Sequence, residues 1–203
     1  MKAARIGLCF LLIAVVCGLA VRAEAGLLNG HGSAYNDGSN PVWTGSTPFD
    51  DLSGLAGYVD WAVFAPGDFP YAGYSPTAGE MTYAYQVFVT GTAPVSAFSV
   101  ALINPADNIG SFGDLPGFSP TSASITPLTS ADWSFSGIPG GFNSEGLAFS
   151  SPRVPMDFFG SVVDTGSSTF VVPLPSPADN NIPEPSTIAL VAMALPLLRR
   201  VRF

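Results

Sequence analysis

The chain has 203 residues and a formal net charge of −8, and only 11% of its residues are charged. Residues 26–182 hold one basic residue, Arg153, against 13 acidic residues, so this stretch has a net charge of −12. Because such a surface repels phosphate backbones, we expect no nucleic-acid partner, and the length suits a single domain between the two termini.

Residues 1–25 have the layout of a secretory signal peptide. Two basic residues precede an apolar stretch over residues 6–21, and the small residues Ala23 and Ala25 stand third-last and last before the expected cleavage point. We therefore expect export by the Sec machinery and cleavage by signal peptidase in front of Gly26. An uncleaved N-terminal membrane anchor is the alternative interpretation.

Both cysteines, Cys9 and Cys17, lie in this leader. The remaining chain therefore offers no disulfide, no thiolate nucleophile and no thiolate metal ligand. Cys17 follows Val16, whereas a lipoprotein signal needs a small residue at that position, so we do not expect a lipid-modified cysteine.

Residues 26–175 alternate between apolar and small or polar side chains, a pattern that indicates β-strands with one buried face. The clearest strand is 81–90, followed by 95–103, and we expect residues 91–94 to join them as a hairpin turn. Further candidate strands are 58–65, 131–136, 147–150, 159–163 and 169–174.

Glycine and proline separate these short strands throughout, which predicts an all-β fold. We expect a single, jelly-roll-like β-sandwich, flanked by an N-terminal signal helix and a short C-terminal hydrophobic helix. Alternation predicts that the core is lined by Tyr83, Tyr85, Val87 and Val89, with Thr82 on the opposite, more tolerant face. Five prolines lie in residues 173–185, so we expect a stiff linker over 176–182.

The last 21 residues combine three features in a fixed order. The motif Pro183-Glu184-Pro185-Ser186-Thr187 comes first, an apolar run follows, and the arginines Arg199, Arg200 and Arg202 close the chain. Residues 183–203 thereby resemble the PEP-CTERM sorting signal of bacterial exported proteins. This resemblance implies that an exosortase, an integral-membrane transpeptidase, cuts near the motif and passes the protein toward the cell surface or extracellular matrix. Members of the family are typical of bacteria that build exopolysaccharide and biofilm.

The apolar run, residues 188–198, suits transient anchoring in the inner membrane. As a helix its 11 residues would measure about 17 Å, against roughly 30 Å for a bilayer core. The arginines would stay cytoplasmic under the positive-inside rule. An ordinary C-terminal anchor that is never cut is the alternative.

One stretch imitates an enzyme. Asp164-Thr165-Gly166-Ser167 resembles the active-site turn of pepsin-like aspartic proteases, which need two facing carboxylates that share a proton. No second Asp-Thr-Gly or Asp-Ser-Gly occurs, so we interpret residues 164–167 as a turn, with Gly166 supplying the special backbone angle.

Other catalytic arrangements are equally sparse. His31 is the single histidine, and we interpret it as a solvated loop residue. A glycosidase needs only two carboxylates. Those could come from Asp50, Asp51, Asp60, Asp68 and Glu80, as from any acidic surface.

We expect no cofactor, with calcium as an open possibility. Hard oxygen ligands cluster in residues 36–40, 50–51 and 104–108, although turns use the same residue types. Residues 69–74 contain three aromatic side chains outside any strand pattern. We favour a local hydrophobic cluster there over rings that stack on sugars.

The sequence as a whole predicts an exported, non-enzymatic protein of the cell surface or extracellular matrix, sorted through its tail. A module that binds exopolysaccharide is the second hypothesis, and exposed aromatic side chains on one sheet face would favour it. A secreted hydrolase is the third, and a pair of facing carboxylates in a cleft would favour that.

Overall fold

The computed structural model describes residues 27–38 and 42–178. Within them the chain forms ten β-strands and no helix, which confirms the all-β class. The strands are β1 (Thr44–Asp50), β2 (Ala56–Phe64), β3 (Met81–Val89), β4 (Val95–Ala101), β5 (Asp107–Phe112), β6 (Ser122–Thr126), β7 (Ser130–Ile138), β8 (Gly146–Ser151), β9 (Pro155–Val163) and β10 (Ser168–Pro177).

The strands form two five-stranded sheets in which every neighbouring pair is antiparallel. Sheet I has the order β1-β2-β3-β8-β5, and sheet II has the order β10-β9-β4-β7-β6. Their facing sides share one hydrophobic core, an arrangement consistent with a β-sandwich.

Aromatic rings from both sheets meet at the centre of this core. Trp133 of β7 stacks on Phe98 of β4 at 5.7 Å between ring centroids, and Phe149 of β8 lies 6.4 Å from the same indole. The four residues expected from the alternation of β3 are all buried here: Tyr83, Tyr85, Val87 and Val89. That prediction is confirmed.

The connection between β3 and β4 differs from the prediction. Residues 91–94 join a strand of sheet I to a strand of sheet II, so they form a crossover and not a hairpin turn. Val89 and Val95 on either side of it bury their side chains in the same core. A short link with glycine and proline between two alternating strands can form either a hairpin turn or a crossover between sheets. The local sequence does not distinguish these two connections.

Three strands were not predicted from the sequence, namely β1, β5 and β6. Strand β10 also continues through Pro177, two residues into the stretch expected to be linker, and Ala178 is buried behind it. β10 is an edge strand of sheet II, which is where prolines are tolerated in sheets, because an edge needs fewer N–H donors.

Part of the outward side of sheet I is covered as well. A second hydrophobic cluster, which we call the outer core, lies there between the sheet and the loops that precede and follow the strands. It consists of Leu28, Ala34, Ala62, Phe64, Tyr71, Ala84, Phe112, Leu115 and Ala148. Thr82 is only 1% exposed on this side, so the expectation of a tolerant face at Thr82 is wrong.

Sheet II has no such cover. Along β7 the side chains alternate between buried and accessible, with Ala131, Trp133 and Phe135 inside and Ser134 and Ser136 exposed. The outward side chains of its five strands form what we call the outer face of sheet II. On sheet I, solvent reaches the outward side at β1, where Ser46, Pro48 and Asp50 are exposed.

Candidate functional site

The outer face of sheet II presents one row of side chains that crosses all five strands. The register aligns Phe170 with Ser161, Ser161 with Ser99, Ser99 with Asp132, and Asp132 with Ser124. Neighbouring strands lie about 4.8 Å apart, so the row is about 19 Å long. An aromatic ring stands at one end and short polar side chains fill the rest.

The carboxylate of Asp132 is held in place within this row. Ser99 Oγ donates a hydrogen bond to Asp132 Oδ1 at 2.6 Å, and Ser130 Oγ donates to Asp132 Oδ2 at 2.6 Å. A carboxylate offers about four lone-pair positions, so Asp132 retains capacity to accept hydrogen bonds from a ligand. The site thus has a preorganised acceptor beside two hydroxyl groups.

Two exposed phenylalanines border the row. Phe170 is 70% exposed and Phe159 38% exposed, and their rings meet edge to face at 5.8 Å between centroids. Phe159 also contacts Phe158, at 4.6 Å between ring centroids. Solvent-exposed aromatic rings provide an apolar contact surface for a ligand.

The aromatic pair separates two depressions. The larger, about 530 Å³, is almost wholly apolar and is lined by Asp157, Phe158, Phe159, Phe170, Val172 and Pro173. The smaller, about 290 Å³, lies over the polar row and includes Ser99, Ser130, Asp132 and Ser161 among its lining residues. Phe159 and Phe170 line both depressions, so apolar and polar surfaces adjoin directly.

The aromatic loop residues 69–74 lie elsewhere, on the outer core. Tyr71 stacks on Phe112 at 4.9 Å, and Phe69 meets Phe112 edge to face at 5.2 Å. The interpretation as a local hydrophobic cluster is confirmed. His31 lies in a loop, as expected, but it is only partly exposed, because its ring packs 5.3 Å from that of Phe64. Burial lowers the pKa of His31.

Asp164 is a turn residue between β9 and β10. Its Oδ1 accepts hydrogen bonds from the backbone N–H groups of Gly166 at 2.6 Å and Ser167 at 2.5 Å. These bonds lower the pKa of Asp164. Gly166 does not adopt a positive φ, so the expectation of a special backbone angle there is wrong.

A second carboxylate, Asp51, lies at the same corner as Asp164. Ser167 Oγ donates to Asp51 Oδ2, and this bond, together with bonds from Ser53 and the backbone of Leu55, lowers the pKa of Asp51. Aspartic proteases instead need two carboxyls that share one proton, so that one is an acid and the other a base in the acidic working range. Because the surroundings here favour the ionised form of both groups, the corner differs electrostatically from a protease dyad.

Glu80 and Asp107 form a direct carboxyl pair at the start of β3 and β5. Burial, then the charge of Asp107 and a hydrogen bond to it, raise the pKa of Glu80. Glu80 Oε2 is also buried without a hydrogen-bond partner. Glycosidases separate their two carboxyls by at least about 5 Å, so a hydrogen-bonded pair is closer than that chemistry requires. Neither carboxyl lines the two depressions described above.

Replacing Glu80 with glutamine is expected to stabilise the protein at pH 7. The folded-state pKa of Glu80 is raised, so its contribution to stability is present at low pH and lost as pH rises through that pKa. Glutamine stays neutral and keeps a hydrogen-bonding group beside Asp107. We expect a melting temperature about 2 °C higher at pH 7 and a smaller gain at pH 4.

Thermal unfolding followed by circular dichroism at both pH values measures this effect. The matched control is Glu145→Gln, since Glu145 is a partly exposed acid whose Oε1 accepts a hydrogen bond from Ser119. A lower melting temperature for Glu80→Gln at pH 7 would contradict the raised pKa assigned to Glu80.

The loops considered for calcium use many of their oxygens internally. Asn36 Oδ1 accepts from the N–H of Gly38 at 2.8 Å, and Asp50 Oδ1 accepts from the N–H of Leu52 at 2.7 Å. Asn108 Nδ2 donates to the carbonyl of Ser75 at 2.6 Å. Across residues 27–38 and 42–178 no group of three or more His, Cys, Asp or Glu side chains is placed to hold a metal ion.

The residues expected to act in sorting lie outside the described part of the chain. They are the cleavage residues Ala23 and Ala25, the motif Pro183–Thr187 and the basic residues Arg199, Arg200 and Arg202. In the described part, no helix has the length and apolar character needed to cross a membrane. Comparisons with protein-family models, characterised proteins and solved structures found no match to this chain.

The outer face of sheet II was not expected as a site from the sequence. The available signal was the side of strand 95–103 opposite Phe98 and Val100, where Ala97, Ser99 and Ala101 are all small. The row needs strand neighbours that are distant in sequence, because Ser99 is paired with Asp132 on one side and with Ser161 on the other. That pairing is a property of the fold and not of any one segment.

Proposed function

We propose that this chain is an exported, non-enzymatic protein of the cell surface or extracellular matrix, sorted by an exosortase through a PEP-CTERM tail. Its partners are then the Sec machinery, signal peptidase and exosortase, and it is held in the inner membrane only transiently. The proposal divides the chain into a signal peptide (1–25), an ectodomain from residue 26 that the structure extends past 175 to the end of β10 at Pro177, a linker up to residue 182 and a sorting signal (183–203).

The observation that carries the proposal is the order of elements in the tail. Pro-Glu-Pro-Ser-Thr, an apolar run and terminal arginines follow one another at residues 183–203, in a chain that also begins with a signal-like leader. A well-packed β domain with a net negative charge suits an ectodomain that works outside the cell without binding nucleic acid.

The proposal also includes the finer description of the fold. The chain passes repeatedly between the two sheets, from β3 to β4, β4 to β5, β5 to β6, β7 to β8 and β8 to β9. Such crossing supports a jelly-roll-like domain. The signal helix and the short C-terminal helix remain expectations about residues outside the described part.

A second candidate function is binding of exopolysaccharide. The observation that favours it is the exposed pair Phe159 and Phe170 beside the polar row on the outer face of sheet II. Exposed aromatics on one sheet face were the feature expected of such a module.

The sorting proposal is tested by replacing Arg199, Arg200 and Arg202 together with alanine in the organism that makes the chain. Loss of the positive end removes the charge that holds the C-terminus on the cytoplasmic side. We expect unprocessed protein to accumulate and delivery to the envelope or medium to fall at least about fivefold by immunoblot of cell fractions.

The matched control carries lysine at the same three positions, which keeps the charge and should restore processing. Normal maturation of the alanine variant would contradict the role assigned to the arginines. Failure of both variants to mature would contradict a role for charge alone.

A further inference from the structure

We propose that the outer face of sheet II binds a neutral, hydroxyl-rich polysaccharide that lies across the strands along the row from Phe170 to Ser124. This inference rests on the second candidate function above and names its site and ligand class.

The outer face of sheet II is open, while much of its counterpart is covered. On sheet I the outer core, in which Phe64, Tyr71 and Phe112 pack together, covers the outward side around Ala62, Ala84 and Ala148. On sheet II the corresponding surface consists of short side chains such as Ser99, Ala101 and Ser130, which line a shallow depression. A long, extended ligand can therefore approach the sheet along its whole width.

The chemistry of the row suits a sugar. A sugar ring has an apolar face of C–H bonds and a rim of hydroxyl groups. Phe159 and Phe170 supply apolar contact, and directly beside them Asp132 and its serine partners offer acceptors and donors for hydroxyls. Apolar and polar surfaces in immediate contact match one amphipathic ligand better than a purely apolar one.

The charge of this surface favours a neutral polysaccharide over an anionic one. Asp132 lies in the row and Asp157 lines the neighbouring groove. The span 26–182 has one basic residue against 13 acidic ones. Uronate, sulfate or phosphate groups on a polymer would meet repulsion without a compensating cation. A neutral polymer avoids that cost and can donate hydroxyl protons to the Asp132 carboxylate.

A second copy of the chain fits this face less well. The large exposed apolar side chains, Phe159, Phe170 and Val172, lie at one end of it. Covering the remainder would remove Asp132 and several serine hydroxyls from water without an evident partner. The β10 edge of sheet II is also partly covered by sheet I, because Thr47 Oγ1 of β1 donates to the Pro173 carbonyl of β10 at 2.6 Å.

Affinity electrophoresis of the purified full chain tests the proposal. The acidic protein migrates in native gels that contain no polymer, a β-glucan, a galactomannan, a dextran or, as the charged comparison, a polyuronate. We expect retardation by at least one neutral polymer and none by the polyuronate. Phe170→Ala and Asp132→Asn should each weaken that binding about tenfold or more.

The control is Phe142→Ala, which removes an exposed phenylalanine, 55% exposed, in the β7–β8 loop that lines neither depression. It should bind like the unaltered chain. Circular dichroism of each variant shows that it remains folded, which the exposure of Phe170 leads us to expect.

Three results would overturn the proposal. One is no retardation by any neutral polymer, or retardation by the polyuronate alone. Another is unchanged binding by Phe170→Ala and Asp132→Asn. The third is a dimer in sedimentation analysis that Phe170→Ala dissociates, without polysaccharide binding. None of these bears on tail processing, so failure here is distinct from failure of the sorting proposal.

Discussion

Replacing Val87 with aspartate is expected to unfold the domain. Val87 is 0% exposed in β3, the central strand of sheet I, and its side chain faces the core between the sheets. A carboxylate there would be buried without a partner, or would need a proton at neutral pH. The cost exceeds about 4 kcal/mol, a large part of the 5–15 kcal/mol that stabilises a typical domain.

Far-UV circular dichroism and a thermal melt of the full chain measure this effect. The expected result is loss of the β spectrum or of any cooperative transition. Ser134→Asp is the matched control, because Ser134 is exposed on the outer face of sheet II. That variant should melt within about 2 °C of the unaltered protein. A folded Val87→Asp variant would contradict the placement of β3.

Replacing Phe112 with alanine is expected to destabilise the outer core. Phe112 is 1% exposed and contacts the rings of Tyr71 and Phe69. Truncating a buried phenylalanine costs about 3–5 kcal/mol, because transfer energy is lost and a cavity remains. For a domain of this size, that corresponds to a melting temperature lower by roughly 10 °C.

Phe142→Ala provides the comparison, since Phe142 is 55% exposed and its truncation should change the melting temperature little. Equal effects of Phe112→Ala and Phe142→Ala would contradict the outer core. A large effect of Phe112→Ala would establish that the loops over sheet I contribute to stability and are more than connections.

The class of fold and much of the core were predictable from local pattern. Strand 81–90 alternates strongly enough to place Tyr83, Tyr85, Val87 and Val89 on one face, and the structure buries all four. Local pattern failed where burial depends on parts distant in sequence. Ala84 looks like a solvent-side residue of a one-sided strand, yet loops before and after the sheet cover it completely.

Weak strands were missed for a related reason. In β6, Ser122–Thr126, most residues are small, polar and exposed, so it lacks the apolar alternation that identifies a strand. It is defined by pairing with β7, where Ser124 is aligned with Asp132. The polar row also depends on pairing between strands that are distant in sequence, so it could not be predicted from any one segment.

The two proposals concern different regions of the molecule. Export and sorting are proposed for the leader and tail, and polysaccharide binding is proposed for the outer face of sheet II. Each proposal stands on its own residues and has its own experiment.

The central claim, export followed by removal of both ends, is tested most directly by intact-mass spectrometry of protein isolated from the envelope or medium of the organism that makes it. The account predicts a species that begins at Gly26 and lacks the apolar run at residues 188–198. A full-length chain from Met1 to Phe203 as the sole product would contradict it.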